Sequence, residues 1–182
     1  MSIPKFLHIL PLVAVLVVAS GCVRDVDVDQ AEEIVIPPSA ALDLVYFTLD
    51  STHFEQRNTA GPFVARDVVR LEFLDDDYIR DGLVRADYNF IYTNTFEFPI
   101  KNTVHFLSEN DVVKYRLNFE IPAGSLETPA TINYTEIINE DRIEGIRESI
   151  KMIITLEMQA PAPPSEGSLK LKSKAFYDFE FK

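Results

Sequence analysis

Nine consecutive residues limit what this chain can fold into more than any other stretch. In Val113-Lys114-Tyr115-Arg116-Leu117-Asn118-Phe119-Glu120-Ile121 every odd position is apolar and every even position polar. Side chains alternate across a strand with period two, whereas a helix would scatter these apolar residues around its circumference. The segment is therefore a strand with one buried face and one wet face. The same period recurs along the chain. Ile150, Met152, Ile154, Leu156 and Met158 alternate with Lys151, Thr155 and Glu157; Val69, Leu71 and Phe73 with Arg70 and Glu72; Val84, Ala86, Tyr88 and Phe90 with Arg85, Asp87 and Asn89. Weaker runs occupy about 41–49, 96–107 and 131–138. A last run, 169–181, alternates Leu169 and Leu171 with lysines, then Tyr177, Phe179 and Phe181 with acids.

Turn residues fall between these runs: Gly61-Pro62, Asp81-Gly82, Asn94, Asn110-Asp111, Pro122-Ala123-Gly124-Ser125, Pro129 and the prolines from Pro161 to Pro164. Half-buried strands separated by breakers predict an all-β fold, an immunoglobulin-like antiparallel β-sandwich of about eight or nine strands, with a small barrel as the competing closure. One short helix is expected. Asn139 can cap Glu140-Asp141-Arg142, acids occupy the first turn, and Ile143 and Ile146 share a side, so about two turns should cross between strands before Ile150.

The first residues carry a different pattern. Lys5 precedes an apolar run from Phe6 to Ala19, which is short for a membrane span, and small residues lead to Cys22, the only cysteine of the chain. A lone cysteine has no intramolecular disulfide partner and needs another use. Ala19-Ser20-Gly21-Cys22 resembles the lipobox of bacterial lipoproteins, although that family usually has Leu or Val where Ala19 stands. The resemblance implies cleavage between Gly21 and Cys22, and lipidation of Cys22 by diacylglycerol and a fatty acyl chain such as palmitate. The organisation expected is a signal peptide over 1–21, an acidic tether over 22–38 and a β-sandwich over 39–182. Asp25, Asp27, Asp29, Glu32 and Glu33 of the tether resemble the export signal of surface lipoproteins in the Bacteroidota, and they equally suit a charged spacer without a sorting role. Val23, not Asp, follows Cys22, so the resemblance points to the outer membrane, with the face left open between cell surface and periplasm.

A formal net charge of −12 makes nucleic acid an unsuitable partner, and it opposes adsorption to anionic lipid, so the lipid on Cys22 must supply the membrane attachment. Signatures of catalysis are missing. The mature chain has only His53 and His105 as histidines, no Gly-x-Ser-x-Gly elbow is present, and Gly124-Ser125 suits a turn. No enzyme and no cofactor are expected. Asp75-Asp76-Asp77, with Asp81-Gly82 after it, could offer oxygen ligands to calcium, but Tyr78-Ile79 interrupt an EF-hand spacing, and a solvated hairpin loop between strands at 68–74 and 83–92 is the preferred reading. No tryptophan is present to form a sugar platform, which leaves Tyr46, Tyr78, Tyr92 and Tyr177 as candidate exposed rings. Asn94-Thr95-Phe96-Glu97-Phe98-Pro99-Ile100 followed by Ile121-Pro122-Ala123-Gly124 resembles stress-associated LEA14-type sandwiches over about a fifth of the chain, which implies fold only.

Lys170, Lys172 and Lys174 form the one dense positive stripe. They are expected on an edge strand, where lysines discourage indiscriminate pairing, and they could steer an acidic partner or merely solubilise a face. The reading is a non-catalytic envelope lipoprotein with a structural or protein-interaction role and an envelope protein as partner. The alternative is a surface module binding glycan or peptide.

Overall fold

In the computed structural model the described residues are 38–56, 61–162 and 164–181. The expected signal sequence, the expected cleavage site between Gly21 and Cys22 and the expected tether before Pro38 lie outside them. Nine strands form two antiparallel sheets: β1 (Ser39–Asp50), β9 (Ser168–Phe179), β4 (Leu83–Asn94) and β7 (Ala130–Ile138) in that order, and β2 (Glu55–Gln56), β3 (Phe63–Arg70), β8 (Lys151–Met158), β5 (Ile100–Leu107) and β6 (Val113–Ile121) in that order.

Alternation decides which faces meet. Leu169, Leu171, Ala175, Tyr177 and Phe179 of β9 and Ala86, Tyr88, Phe90 and Tyr92 of β4 point inward from one sheet, and Met152, Ile154, Leu156 and Met158 of β8 with Ile100, Val104 and Phe106 of β5 point inward from the other. These side chains form one contiguous core. The rings of Tyr88 and Phe106 meet across the sheets at 4.7 Å between centroids. At about 1.5–3 kcal/mol for each large apolar side chain removed from water, this core is the main favourable term in folding. Ser173 is the polar exception inside β9. Its Oγ accepts from Val45 N at 3.0 Å and donates to Val45 O at 3.3 Å, which satisfies the backbone where β1 bulges between Asp43 and Tyr46.

The antiparallel all-β sandwich is the architecture the alternation implies. Its connectivity is that of a jelly roll. The first strand pairs with the last, and every connection between successive long strands changes sheet except the β5–β6 hairpin. The immunoglobulin likeness thus extends to two packed sheets and not to strand order.

Several expectations are corrected. β9 is no edge strand, because β1 and β4 pair with it on its two sides; β1 and β7 are the edges of its sheet. The segment after β3 is no hairpin, since β3 and β4 belong to different sheets. β3 ends at Arg70, and Leu71 and Leu74 reach the core through a 3-10 turn over Glu72–Leu74. Among the described residues there are two short α-helices instead of one. The first, α1 (Asp77–Gly82), starts where Asp76 Oδ1 accepts from Tyr78 N at 2.9 Å and Ile79 N at 3.2 Å. The second, α2 (Glu144–Arg147), begins later than Asn139, whose carbonyl instead closes a turn with Arg142 N at 2.9 Å. It does join the two sheets, between β7 and β8.

Asn94 holds the other end. Fully buried at the last position of β4, it donates through Nδ2 to Phe98 O at 3.1 Å and Pro122 O at 2.8 Å, and its Oδ1 accepts from Phe96 N at 2.9 Å. Two chain crossings between sheets, β4 to β5 and β6 to β7, are thereby tied together. Gly124 passes so close that an added Cβ would lie 2.1 Å from Asn94 O. The segments that carry the LEA14-type resemblance are the ones joined here. Asn94→Ala strands buried amide and carbonyl groups and is expected to cost about 2–4 kcal/mol in urea unfolding. A loss under about 0.5 kcal/mol, the scale of an ordinary surface substitution, would refute this account of the clamp.

Candidate functional site

The lysine stripe lies on β9, an inner strand of the four-stranded sheet flanked by β1 and β4. Because β9 buries its odd positions, Lys170, Lys172 and Lys174 all leave the sheet on its outer side. Cross-strand pairing sets their neighbours: Lys170 stands between Thr48 and Thr93, Lys172 between Tyr46 and Ile91, and Lys174 between Asp43 and Asn89. Lys174 Nζ meets an Asp43 oxygen at 3.3 Å, and Lys172 Nζ sits 5.5 Å from the centre of the Tyr46 ring. Among the described residues, Lys170 and Lys172 have no carboxylate within ion-pair distance. Beyond β4 the face turns to amides and hydroxyls, where Asn89 Nδ2 donates to Asn133 Oδ1 at 2.6 Å and Thr135 Oγ1 at 2.8 Å. Tyr46 is 74% exposed and Phe176, on the same outward row of β9, is 46% exposed, so the surface combines unpaired ammonium groups, two open rings and a polar margin.

Other candidates are dispersed. Asp75 holds Arg70 at 2.6 Å, Asp76 caps α1 and Asp77 pairs with Arg80, so the three carboxylates serve three separate tasks. His53 ends a 3-10 turn and lies 2.9 Å from Asp50, whose carboxyl is held below its ordinary range first by the Thr52 hydroxyl and then by Thr52 N and His53. His105 lies on the outer face of β5. Ser125 Oγ accepts from Thr128 N at 2.9 Å inside a turn. Of the four tyrosines, Tyr46 and Tyr78 reach solvent while Tyr92 and Tyr177 are core.

Alternation does not reveal the cleft. The connections β4–β5, β6–β7 and β8–β9 converge at one end of the sandwich around a cleft of about 570 Å³ lined by Thr95, Glu97, Phe98, Leu126, Glu127 and Glu166 among others. Its charged lining among the described residues is acidic throughout. β1 starts at the opposite end, where Ser39 pairs with Asp178.

A polar seam joins the edges β6 and β7. Tyr115 donates to Glu136 Oε1 at 2.7 Å, Tyr134 to Oε2 at 2.8 Å, and Arg142 Nη1 reaches Oε1 at 3.0 Å and Tyr115 Oη at 2.7 Å. Phe119 stacks on Tyr134 at 4.1 Å. Burial raises the Glu136 pKa, but hydrogen bonds from Tyr115, Tyr134 and Arg142 outweigh it and hold the carboxyl below its ordinary range. Burial, then the bond to Glu136, pushes each phenol up to about 12, so both stay donors at neutral pH. With both carboxylate oxygens hydrogen-bonded, Glu136 ties the two edges together. Next to this seam, the buried Tyr92 hydroxyl and the Asn102 side-chain amide make no hydrogen bond in the structure.

No family model matches the chain, and no curated protein matches it. Among solved structures it is similar to a "putative secreted protein" from Parabacteroides distasonis, at 18% identity and a TM-score of 0.41, over 65% of this chain and 39% of that one. The chain therefore spans about two fifths of that neighbour. It is also similar to a structure of infectious bursal disease virus, at 8% identity and a TM-score of 0.42, over 79% of this chain and 32% of that one. A third likeness is to Desmodium yellow mottle tymovirus, at 12% identity and a TM-score of 0.32, over 80% of this chain and 90% of that one. None of these carries a function to this chain.

The seam has a pH signature. A carboxyl whose folded pKa is depressed contributes stability that is complete above its unfolded value, about 4.3, and is lost as pH falls through the folded value. Glu136→Gln is expected to be less stable than the wild type near neutral pH, with the deficit shrinking as the solution is acidified below about pH 4. Thermal melts across this range provide the check. A deficit that stayed constant or grew on acidification would show that the Glu136 charge does not stabilise the seam.

Proposed function

We propose that this protein is a non-catalytic lipoprotein of the outer envelope. In this reading Cys22 carries the lipid and the outer face of the four-stranded sheet docks an acidic envelope protein. The observation that carries the docking surface is the presentation of Lys170, Lys172 and Lys174 from a central strand beside the exposed Tyr46 ring, with Lys170 and Lys172 free of carboxylates among the described residues. A central strand sends all three side chains out from one face. Opposite charge across an interface speeds encounter and fixes orientation, and a neighbouring aromatic ring supplies the type of anchor that protein interfaces favour. Attachment through Cys22 is supported by the lipobox-like residues Ala19-Ser20-Gly21-Cys22. Among the described residues, no helix is long and apolar enough to cross a membrane.

A second reading has its own support. The acidic cleft at the loop end, with Glu97, Glu127 and Glu166 around Phe98 and Leu126, suits a peptide that bears a basic side chain beside an apolar one. It lies at the opposite end from Ser39, and a tether joins the sandwich at Ser39, so the cleft is remote from the point of attachment.

Both parts of the main reading can be checked in cells. Cys22→Ala should move the protein from the membrane fraction to the soluble fraction and abolish labelling by a fatty-acid analogue, since three acyl chains hold far more strongly than the marginal single chain. Soluble, unlabelled wild type would remove the anchor from the proposal. Replacing all three lysines by glutamate should eliminate a discrete crosslinked envelope partner while the protein stays folded, with only a small fall in melting temperature from the lost Lys174–Asp43 pair, because the three side chains are exposed. If the same partner were recovered undiminished from the charge-reversed protein, the docking face would lie elsewhere.

A further inference from the structure

The outer face of the five-stranded sheet is built from different chemistry. Pairing places Arg66, Thr155, Thr103 and Asn118 in one outward row across β3, β8, β5 and β6, and Val68, Ile153, His105 and Arg116 in the next. Almost every other described arginine spends its guanidinium on a carboxylate: Arg70 on Asp75, Arg80 on Asp77, Arg85 on Asp87, Arg142 on Glu136. Arg147 binds Leu83 O at 2.6 Å and Glu144 at 3.5 Å. Arg66 and Arg116 are the exceptions among the described residues, with neither an ion pair nor a hydrogen bond, and both are exposed. In a chain where 29 acidic residues outnumber 17 basic ones, guanidinium groups left without a carboxylate are unexpected. His105 lies within reach of both charges. Burial, then Arg116 and Arg66, pushes its pKa below the ordinary histidine value, so near neutral pH the imidazole is uncharged and offers one donor and one acceptor.

The spacing limits what can bind. β3 and β6 are three strand intervals apart, roughly 14 Å, so one small anion cannot engage both guanidinium groups at close range. Between them lie Thr155, Thr103, Asn118 and His105 around the buried Ile153, with Thr103 Oγ1 donating to Asn118 Oδ1 at 3.1 Å. The outward row beyond Arg66 holds Val64, Glu157, Lys101 and Glu120, with Lys101 4.0 Å from Glu157, so the two free guanidinium groups lie in the rows on its other side. Protein interfaces are anchored by buried aromatic or apolar residues. The outward rows of this face hold no Phe or Tyr, and Val68 stands at the rim on β3. Hydroxyls at regular spacing, with an acidic group every few ångströms, are the complement this surface lacks.

We propose that the outer face of the five-stranded sheet binds an acidic polysaccharide laid across β8 and β5, with Arg66 and Arg116 each holding a carboxylate or sulfate of the same chain. Thr103, Thr155, Asn118 and His105 receive its hydroxyls. Arginine's planar fork matches either oxyanion bidentately, which the lysines of the opposite face cannot do. The site is independent of the lysine face and of the anchor, and its test separates them.

The detergent-solubilised full-length protein is passed over immobilised polygalacturonate, a sulfated glycosaminoglycan, poly-glutamate and neutral dextran. Binding is expected to polygalacturonate, to the glycosaminoglycan or to both, according to whether the oxyanion is carboxylate or sulfate, and to weaken with added salt. Arg66→Ala and Arg116→Ala should each lower affinity by about ten-fold or more, the worth of one charge-assisted hydrogen-bonding group, at unchanged melting temperature. Lys170→Ala with Lys172→Ala should leave it unchanged. Three results would overturn the proposal: equal retention on dextran, indifference to both arginine substitutions, or retention on poly-glutamate matching the polysaccharides with the same arginine dependence, which would make this a face for acidic peptide.

Discussion

The fold depends on backbone polar groups being satisfied where the chain leaves one sheet for the other. A jelly roll changes sheet at nearly every connection, and at each crossing amides and carbonyls lose their ladder partners as they pass over the core. Asn94 replaces those partners for two crossings at once, holding Phe96 N, Phe98 O and Pro122 O from one buried side chain. Gly124 N then bonds Phe96 O at 2.8 Å, in a space that no larger residue could share. With these crossings fixed, β4 and β7 can pair in one sheet while β5 and β6 pair in the other. The inward alternation of all four strands then meets a single core.

Charge is distributed by the same economy. Most described basic side chains of this acidic protein are consumed locally, closing turns, stapling helix ends or sealing the β6–β7 seam through Arg142 and Glu136. What is left over is topographically sorted. Lys170 and Lys172 emerge from one sheet, Arg66 and Arg116 from the other, and the loop-end cleft keeps glutamates. A protein of net charge −12 thus presents two faces with local positive character, and the surfaces that differ from the average are the ones able to discriminate between partners.

Much of this was legible in the alternation, because the period of side chains along a strand is a local property. It gives the inward set of β4, β8 and β9 and the outward direction of the lysines and His105. Which strands become neighbours is not local. The lysines of β9 look like an edge device until β1, more than a hundred residues away, pairs along its whole length. Leu71 and Phe73 continue the alternation of β3, yet a 3-10 turn delivers Leu71 and Leu74 to the core. Asp75, Asp76 and Asp77 look like a pooled cluster in sequence; a helix start uses one of them as a cap and sends its neighbours to different arginines. The unpaired state of Arg66 and Arg116 and the acidic cleft arise from parts of the chain remote in sequence, so no motif announces either.

The antiparallel match of β1 with β9 also has a mechanical meaning. β1 enters the sandwich at Ser39 and runs to Asp50 at the far end, with β9 paired beside it along that length. Tension between residues preceding Ser39 and anything gripping the far loops runs along the strand axis and loads this ladder in shear. Its hydrogen bonds share the force and must fail together, whereas a ladder pulled open from one end surrenders them one at a time. A chain held by its N-terminal segment and pulled at its opposite pole is thereby arranged to resist extraction through its first strand.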